Sequence, residues 1–161
     1  MPAVQPSYVG LDMLLAYNSA GPGLGPTWVV LNAKDVKRAR SRTKADVSNR
    51  GSKRKLAEPA LMEEEITFDM NSDETDAGYV FLRSAFDAGT AVEFAFANGP
   101  IGTAGTVATG GTANVVMTKI IMKVFSFEDD QPLDNGCDTS ITIAPCKKTQ
   151  TSPPTENTLI A

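Results

Sequence analysis

Apolar and polar positions alternate most cleanly over residues 63–70. Ile66, Phe68 and Met70 fall on one face, and Glu63, Glu65, Thr67 and Asp69 on the other. That period of two is the mark of a half-buried strand. It returns over residues 91–97, which predicts Val92, Phe94 and Phe96 inward and Glu93 outward. TWVVL at 27–31 is β-branched and aromatic and follows a Gly/Pro-rich turn at 21–26, so it predicts a strand, with a shorter one in the apolar patch at 11–17. Residues 115–127 are long for a strand. Val116, Ile120, Met122 and Val124 alternate with Val115, Met117, Lys119, Ile121, Lys123 and Phe125, so both faces are substantially apolar and the strand needs a second covering, either from its own fold or from another subunit. Asp134-Asn135-Gly136 is a hairpin signal leading into residues 139–144, where Ile141 and Ile143 alternate with polar residues.

One segment carries the helical period instead. Asn71, Ser72 and Asp73 supply capping chemistry, residues 75–88 place Val80, Phe81, Ser84 and Ala85 at helical spacing, and Gly89 provides a stop. The Gly/Thr/Ala-rich stretch at 99–114 predicts a mobile loop or a weakly patterned edge, and the tail at 147–161 a flexible end. With 161 residues and 42% hydrophobic content, the chain suits one domain, residues 1–161, with an N-terminal arm at 1–26 and a protruding basic loop at 34–57. Its apolar runs fall far short of the roughly 20 residues that cross a bilayer. The first ten residues show neither a signal peptide nor a transit peptide, which points to assembly in a cytoplasm and no membrane partner.

The charge distribution changes the picture more than the total of −4 suggests. Residues 34–55 hold ten basic side chains: Lys34, Lys37, Arg38, Arg40, Arg42, Lys44, Arg50, Lys53, Arg54 and Lys55. Set against Asp35 and Asp46, they give this segment a net +8 and leave about −12 for the remainder. An acidic body with a basic arm is complementary to copies of itself, and such complementarity steers association and register. A basic run also suits phosphate contacts, which makes a nucleic-acid-binding or architectural protein the alternative. The arm has no Phe, Tyr or Trp over residues 34–56 to stack bases, and no finger or helix-turn-helix to read them. Lacking an apolar period, it is expected to be unordered in the isolated subunit and to order against neighbours.

No histidine occurs in the sequence. This removes Ser-His-Asp and Cys-His nucleophile activation, the histidine general base and the HExxH zinc site together. GPGLGP at 21–26 contains a GxG followed by a proline and a strand-like run, so it offers no helix N-terminus to cradle phosphate. Cys137 and Cys146 have neither CxxC spacing nor a nearby histidine and read as reduced thiols. The expectation is a chain with no catalytic residues, cofactor or metal.

The order of strand, polar arm, strand, single helix, strand and hairpin resembles the major tail tube proteins of long-tailed bacteriophages. The likeness is carried by TWVVLNAKDV (27–36), ADVSNRGSKRK (45–55), PALMEEEITFDM (59–70) and NSDETDAGYVFLRSAFDAGTAVEFAFANG (71–99). The resemblance implies a mainly β (α+β) fold: a β-sandwich or barrel-like domain with one flanking helix and a long extended arm. It also implies hexameric rings stacked into a hollow tube that conducts DNA without specific binding, an architecture shared with secretion-system tube rings. The implied partners are the chain itself and the tail terminator, tail tip and tape measure proteins, and the implied location is the virion tail. Within that architecture the acidic strand face of Glu63, Glu65, Thr67, Asp69 and Glu93 is the candidate lumen lining, with Lys119 and Lys123 softening its potential.

Overall fold

The computed structural model describes residues 14–25, 27–48, 57–105, 115–130 and 136–146, together with the backbone of a strand at 158–160. Eight strands and one helix follow in the order β1 (Leu14–Asn18), β2 (Trp28–Val30), β3 (Lys34–Asp46), β4 (Ala57–Asn71), α1 (Ala77–Ala88), β5 (Ala91–Ala97), β6 (Val115–Asp130), β7 (Asp138–Pro145) and β8 (Thr158–Ile160). All pair antiparallel in one sheet of order β2-β1-β5-β6-β7-β4-β3, with β8 added to the start of β6. The sheet is rolled. In the strand order β3 lies four places from β5, about 19 Å if flat at the usual spacing. Yet the Arg38 guanidinium of β3 sits 5.6 Å from the Phe96 ring centroid of β5. The architecture is therefore barrel-like, with one helix, as the resemblance implies.

The concave face holds the main core: Leu15 and Tyr17 of β1, Ile66, Phe68 and Met70 of β4, Val92 and Phe94 of β5, Ile120, Met122 and Val124 of β6, and Ile141 and Ile143 of β7. On β4, β5 and β7 these are the residues that the alternation predicts, and Phe96, also expected inward, packs half-buried against the same core. Helix α1 covers it with Tyr79, Leu82 and Ala85. Its phase differs from the sequence expectation: Val80 is exposed, and the cap is Asp76, whose carboxylate accepts from the Gly78 and Tyr79 amides, rather than Asn71–Asp73. Gly78 explains the shift, since a Cβ there would meet Leu31 Cδ2 at 2.8 Å, so this side of the helix packs closely on the core residue Leu31. Gly89 ends the helix in the left-handed conformation, as expected.

The doubly apolar β6 finds a second covering within its own chain only at its start, since Phe125, further along the same face, is 60% exposed. Ala16, Trp28, Ala95, Ala97, Ile101, Val115 and Met117 form a smaller core on the convex face. Residues 99–105, expected to be part of a mobile loop, supply Ile101 and a turn in which Gly105, at φ +77°, lies against Trp28, where a Cβ would be 2.8 Å from Nε1. Residues 106–114 lie outside the described residues. The C-terminal tail is also corrected in part, because Thr158–Ile160 pairs with Val115–Met117. The remainder of 147–161 lies outside the description, as do residues 1–13 of the N-terminal arm. The β6–β7 pairing is the hairpin that Asp134-Asn135-Gly136 predicts; Asp134 and Asn135 are themselves outside the described set.

The basic loop at 34–57 is the largest correction. Residues 34–46 form β3, in register with β4 almost to its start. No apolar period marks this strand because its two faces are nearly all solvent-exposed, and polar alternation leaves no hydrophobic signature. Cross-strand partners hold it instead: Ala39 lies opposite Glu65, Arg40 opposite Glu64 and Ser41 opposite Glu63. Residues 34–46 are thus already paired within a single subunit, contrary to the expectation that the whole arm orders only on assembly; residues 49–56 lie outside the described set.

Candidate assembly surfaces

The arm begins at a bulge. Lys34 pairs with Asp69 and Lys37 with Thr67, so Asp35 and Val36 together oppose Phe68, and Asp35 takes φ +49°, a conformation aspartate tolerates. Lys34 Nζ donates to Asn71 Oδ1 at 2.5 Å and to Asp138 Oδ1 at 3.2 Å, fastening the arm's root to β4 and β7. From there β3 and β4 run together past the last β4–β7 pair, Ile66 with Ile143, so the first nine residues of β4 have β3 as their strand neighbour.

Glu64 anchors this ribbon. It is the buried charged residue among those described, and both Arg38 and Arg40 donate through Nε to its Oε1, Arg40 at 3.2 Å. The Arg38 guanidinium then lies over Phe96, while its Nη2 is buried without a hydrogen-bond partner. The acidic face singled out from sequence has the opposite parity, so Glu64 escaped it. The available signal was a glutamate on the apolar face of its strand, in phase with Ile66 and Phe68. Three of the six described arm cations, Lys34, Arg38 and Arg40, are therefore ion-paired within the subunit, the two arginines sharing the single charge of Glu64. Arg42 stands opposite Met62 and Lys44 opposite Pro59, with no carboxylate across from either. Arg50, Lys53, Arg54 and Lys55 lie outside the described residues.

The candidate lumen residues occupy the convex face. Glu63 and Glu65 are exposed, and Thr67 and Asp69 are half-buried beside Thr142 and Ser140 of β7. Glu93 is on the same face, three strands away, and is only partly exposed. It accepts from Asn18 Nδ2 at 3.0 Å and from the Gly23 amide at 3.5 Å. The residue faces outward, as the alternation predicts, and its carboxylate holds the β1–β2 loop onto β5. Lys119 shares the face and sits 5.7 Å from the Trp28 ring, and Lys123 lies opposite Ala91.

Two shifted ionisations reflect local packing. Burial, with the Asp76 charge nearby, pushes the Tyr17 phenol above its ordinary range, while its ring stacks on Phe81 at 4.4 Å. The Thr75 hydroxyl and amide both donate to Asp73 and hold its carboxyl below the ordinary value. Cys137 and Cys146 flank β7 at its two ends. Eight intervening residues separate them by about 30 Å, which no intrachain disulfide spans.

This rolled antiparallel sheet with one covering helix matches the fold of solved tail tube chains. Among solved structures, the SPP1 tail tube determined by solid-state NMR and cryo-EM matches with a TM-score of 0.69 at 11% identity, over 96% of this chain and 81% of that one. The tail of an empty gene transfer agent particle, refined with helical C6 symmetry, gives 0.66 at 12% identity over 96% and 100%. A chain of the sheath–tube complex of an extracellular contractile injection system in its extended state gives 0.59 at 9% identity over 90% and 91%. No family model matches the sequence, and no curated protein matches it.

Proposed function

We propose that this chain is the repeating subunit of a tail tube, closing into hexameric rings that stack into a hollow conduit for DNA delivery. The observation that carries the reading is the end-to-end fold match with the SPP1 tail tube and with a tail refined in C6 symmetry, covering nearly all of this chain. The role is structural rather than catalytic. The mature location is the virion tail, after assembly in the host cytoplasm, with tail terminator, tail tip and tape measure proteins as partners at the ends and within the bore.

The exposed carboxylates of Glu63 and Glu65 on the convex face suit a channel wall. DNA carries about one negative charge per 1.7 Å of axis, so an acidic wall repels it and a basic wall would hold it through counterion release. Thr67 and Asp69 extend that wall; Glu93 contributes charge from a fixed position against the β1–β2 loop. The nucleic-acid-binding alternative is weakened by the arm itself, because Lys34, Arg38 and Arg40 already face carboxylates of their own subunit. Electron microscopy of the purified protein without DNA is the test. Sixfold rings or tubes with Glu63 and Glu65 facing the bore are expected; dispersed monomers at all concentrations would remove the tube reading, and these side chains on the tube exterior would remove the lumen assignment.

A further inference from the structure

Beyond its last pair with β7, the β3–β4 ribbon is two strands wide, and an isolated two-stranded ribbon is at best marginally stable in water. Its exposed side chains are not all charged. Arg42 pairs with Met62 and Lys44 with Pro59, so Ala60 and Leu61 together oppose Thr43 in a bulge. A bulge re-aims side chains, and here it presents Leu61 at 80% exposure beside Met62 at 44%. Single exposed apolar residues are ordinary on a protein surface. Two adjacent ones at a bulge, on a projecting ribbon pinned at Glu64 and flanked by two cations without acidic partners, form a preorganised contact.

We infer that Leu61 and Met62 are the apolar anchor by which the ribbon docks on a second copy of this chain, with Arg42 and Lys44 steering the approach. The occupant is another copy because the charges fit: Arg42 and Lys44 have no carboxylate opposite them in their own subunit, and the chain outside residues 34–55 carries about −12, so each neighbouring copy offers these cations acidic partners. The inference rests on the tube reading and divides the contact into two parts. The anchor sets how long a contact lasts, and the cations set how fast it forms and how strongly salt affects it.

The test measures the critical concentration for assembly by sedimentation, with the fold checked by circular dichroism. Covering a leucine that is mostly exposed is worth about tenfold to a hundredfold in association. Leu61→Asp is therefore expected to raise the critical concentration by at least about tenfold at every ionic strength, while remaining folded. Leu24→Asp, at an exposed leucine in the β1–β2 loop, is expected to change it little. Arg42→Glu with Lys44→Glu is expected to slow assembly at low salt, with the difference from wild type shrinking as salt rises. If wild type assembles and Leu61→Asp assembles at the same concentration, the anchor is overturned while the tube reading stands. Loss of fold in Leu61→Asp, or an equal effect of Leu24→Asp, also overturns it. A wild-type chain that remains monomeric overturns both.

Discussion

Removing the Glu64 side chain tests whether the arm's root depends on a buried charge. The Glu64 side chain is 4% exposed and that of Arg38 19%, whereas Arg40 is 41% exposed. Glu64→Ala strands the Arg38 guanidinium against Phe96 with its Nη2 already lacking a partner, while Arg40 can turn into water. Breaking a buried pair by deleting one partner costs about 3–5 kcal/mol. Partial solvent access at Arg38 lowers the expected loss here to about 2–4 kcal/mol. With a urea slope of about 2 kcal/mol per molar, the unfolding midpoint should fall by about 1–2 M. Replacing both groups, as Arg38→Met with Glu64→Leu, removes the stranded charge and should return the midpoint close to wild type. A Glu64→Ala midpoint within a few tenths of a molar of wild type would refute the argument, because the carboxylate would then be dispensable where the cation is confined. An equally large loss in the double replacement would show that shape, and not charge, holds the root.

Asp76→Ala removes the acceptor for the Gly78 and Tyr79 amides and should cost about 1 kcal/mol, seen as a melting temperature lower by about 2–4 °C with the fold unchanged. Tyr17 gives a pH test: its folded pKa is raised, so the folded chain holds the phenolic proton more tightly than the unfolded chain. Stability is therefore full below the ordinary tyrosine value of about 10 and declines as pH rises through the folded value. Urea midpoints between about pH 8 and 11 should show that decline, and Tyr17→Phe should reduce its slope.

Much of the fold was legible because burial on one face leaves a period of two. Ile66, Phe68, Met70, Val92, Phe94, Ile141 and Ile143 were marked by their alternation with polar residues, and each lies in the main core; over 115–127, where both faces are apolar, the pattern left the inward set open. Gly89 was legible because a left-handed cap demands a particular residue, and the antiparallel β6–β7 pairing was announced by the turn signal at 134–136. The helix phase was less so. Val80 and Tyr79 are both apolar enough to face a core, and the choice fell to Gly78, whose missing Cβ admits Leu31. The arm was legible in charge but not in conformation, because an exposed ribbon satisfies its strands through backbone pairing and cross-strand Arg–Glu contacts that leave no apolar trace.

By itself the sequence determined the one-helix, mainly β plan, the separation of basic and acidic segments, and the absence of histidine chemistry. These are properties of local pattern and composition, which no packing alters. Tertiary structure decided which charges remain available. Roll of the sheet brings Arg38 from β3 over Phe96 of β5, register sets Arg40 opposite Glu64, and the β1–β2 loop returns to bind Glu93. Those pairings join residues from 24 to 75 positions apart in sequence, and a charge in a sequence carries no sign of the distant partner that will neutralise it.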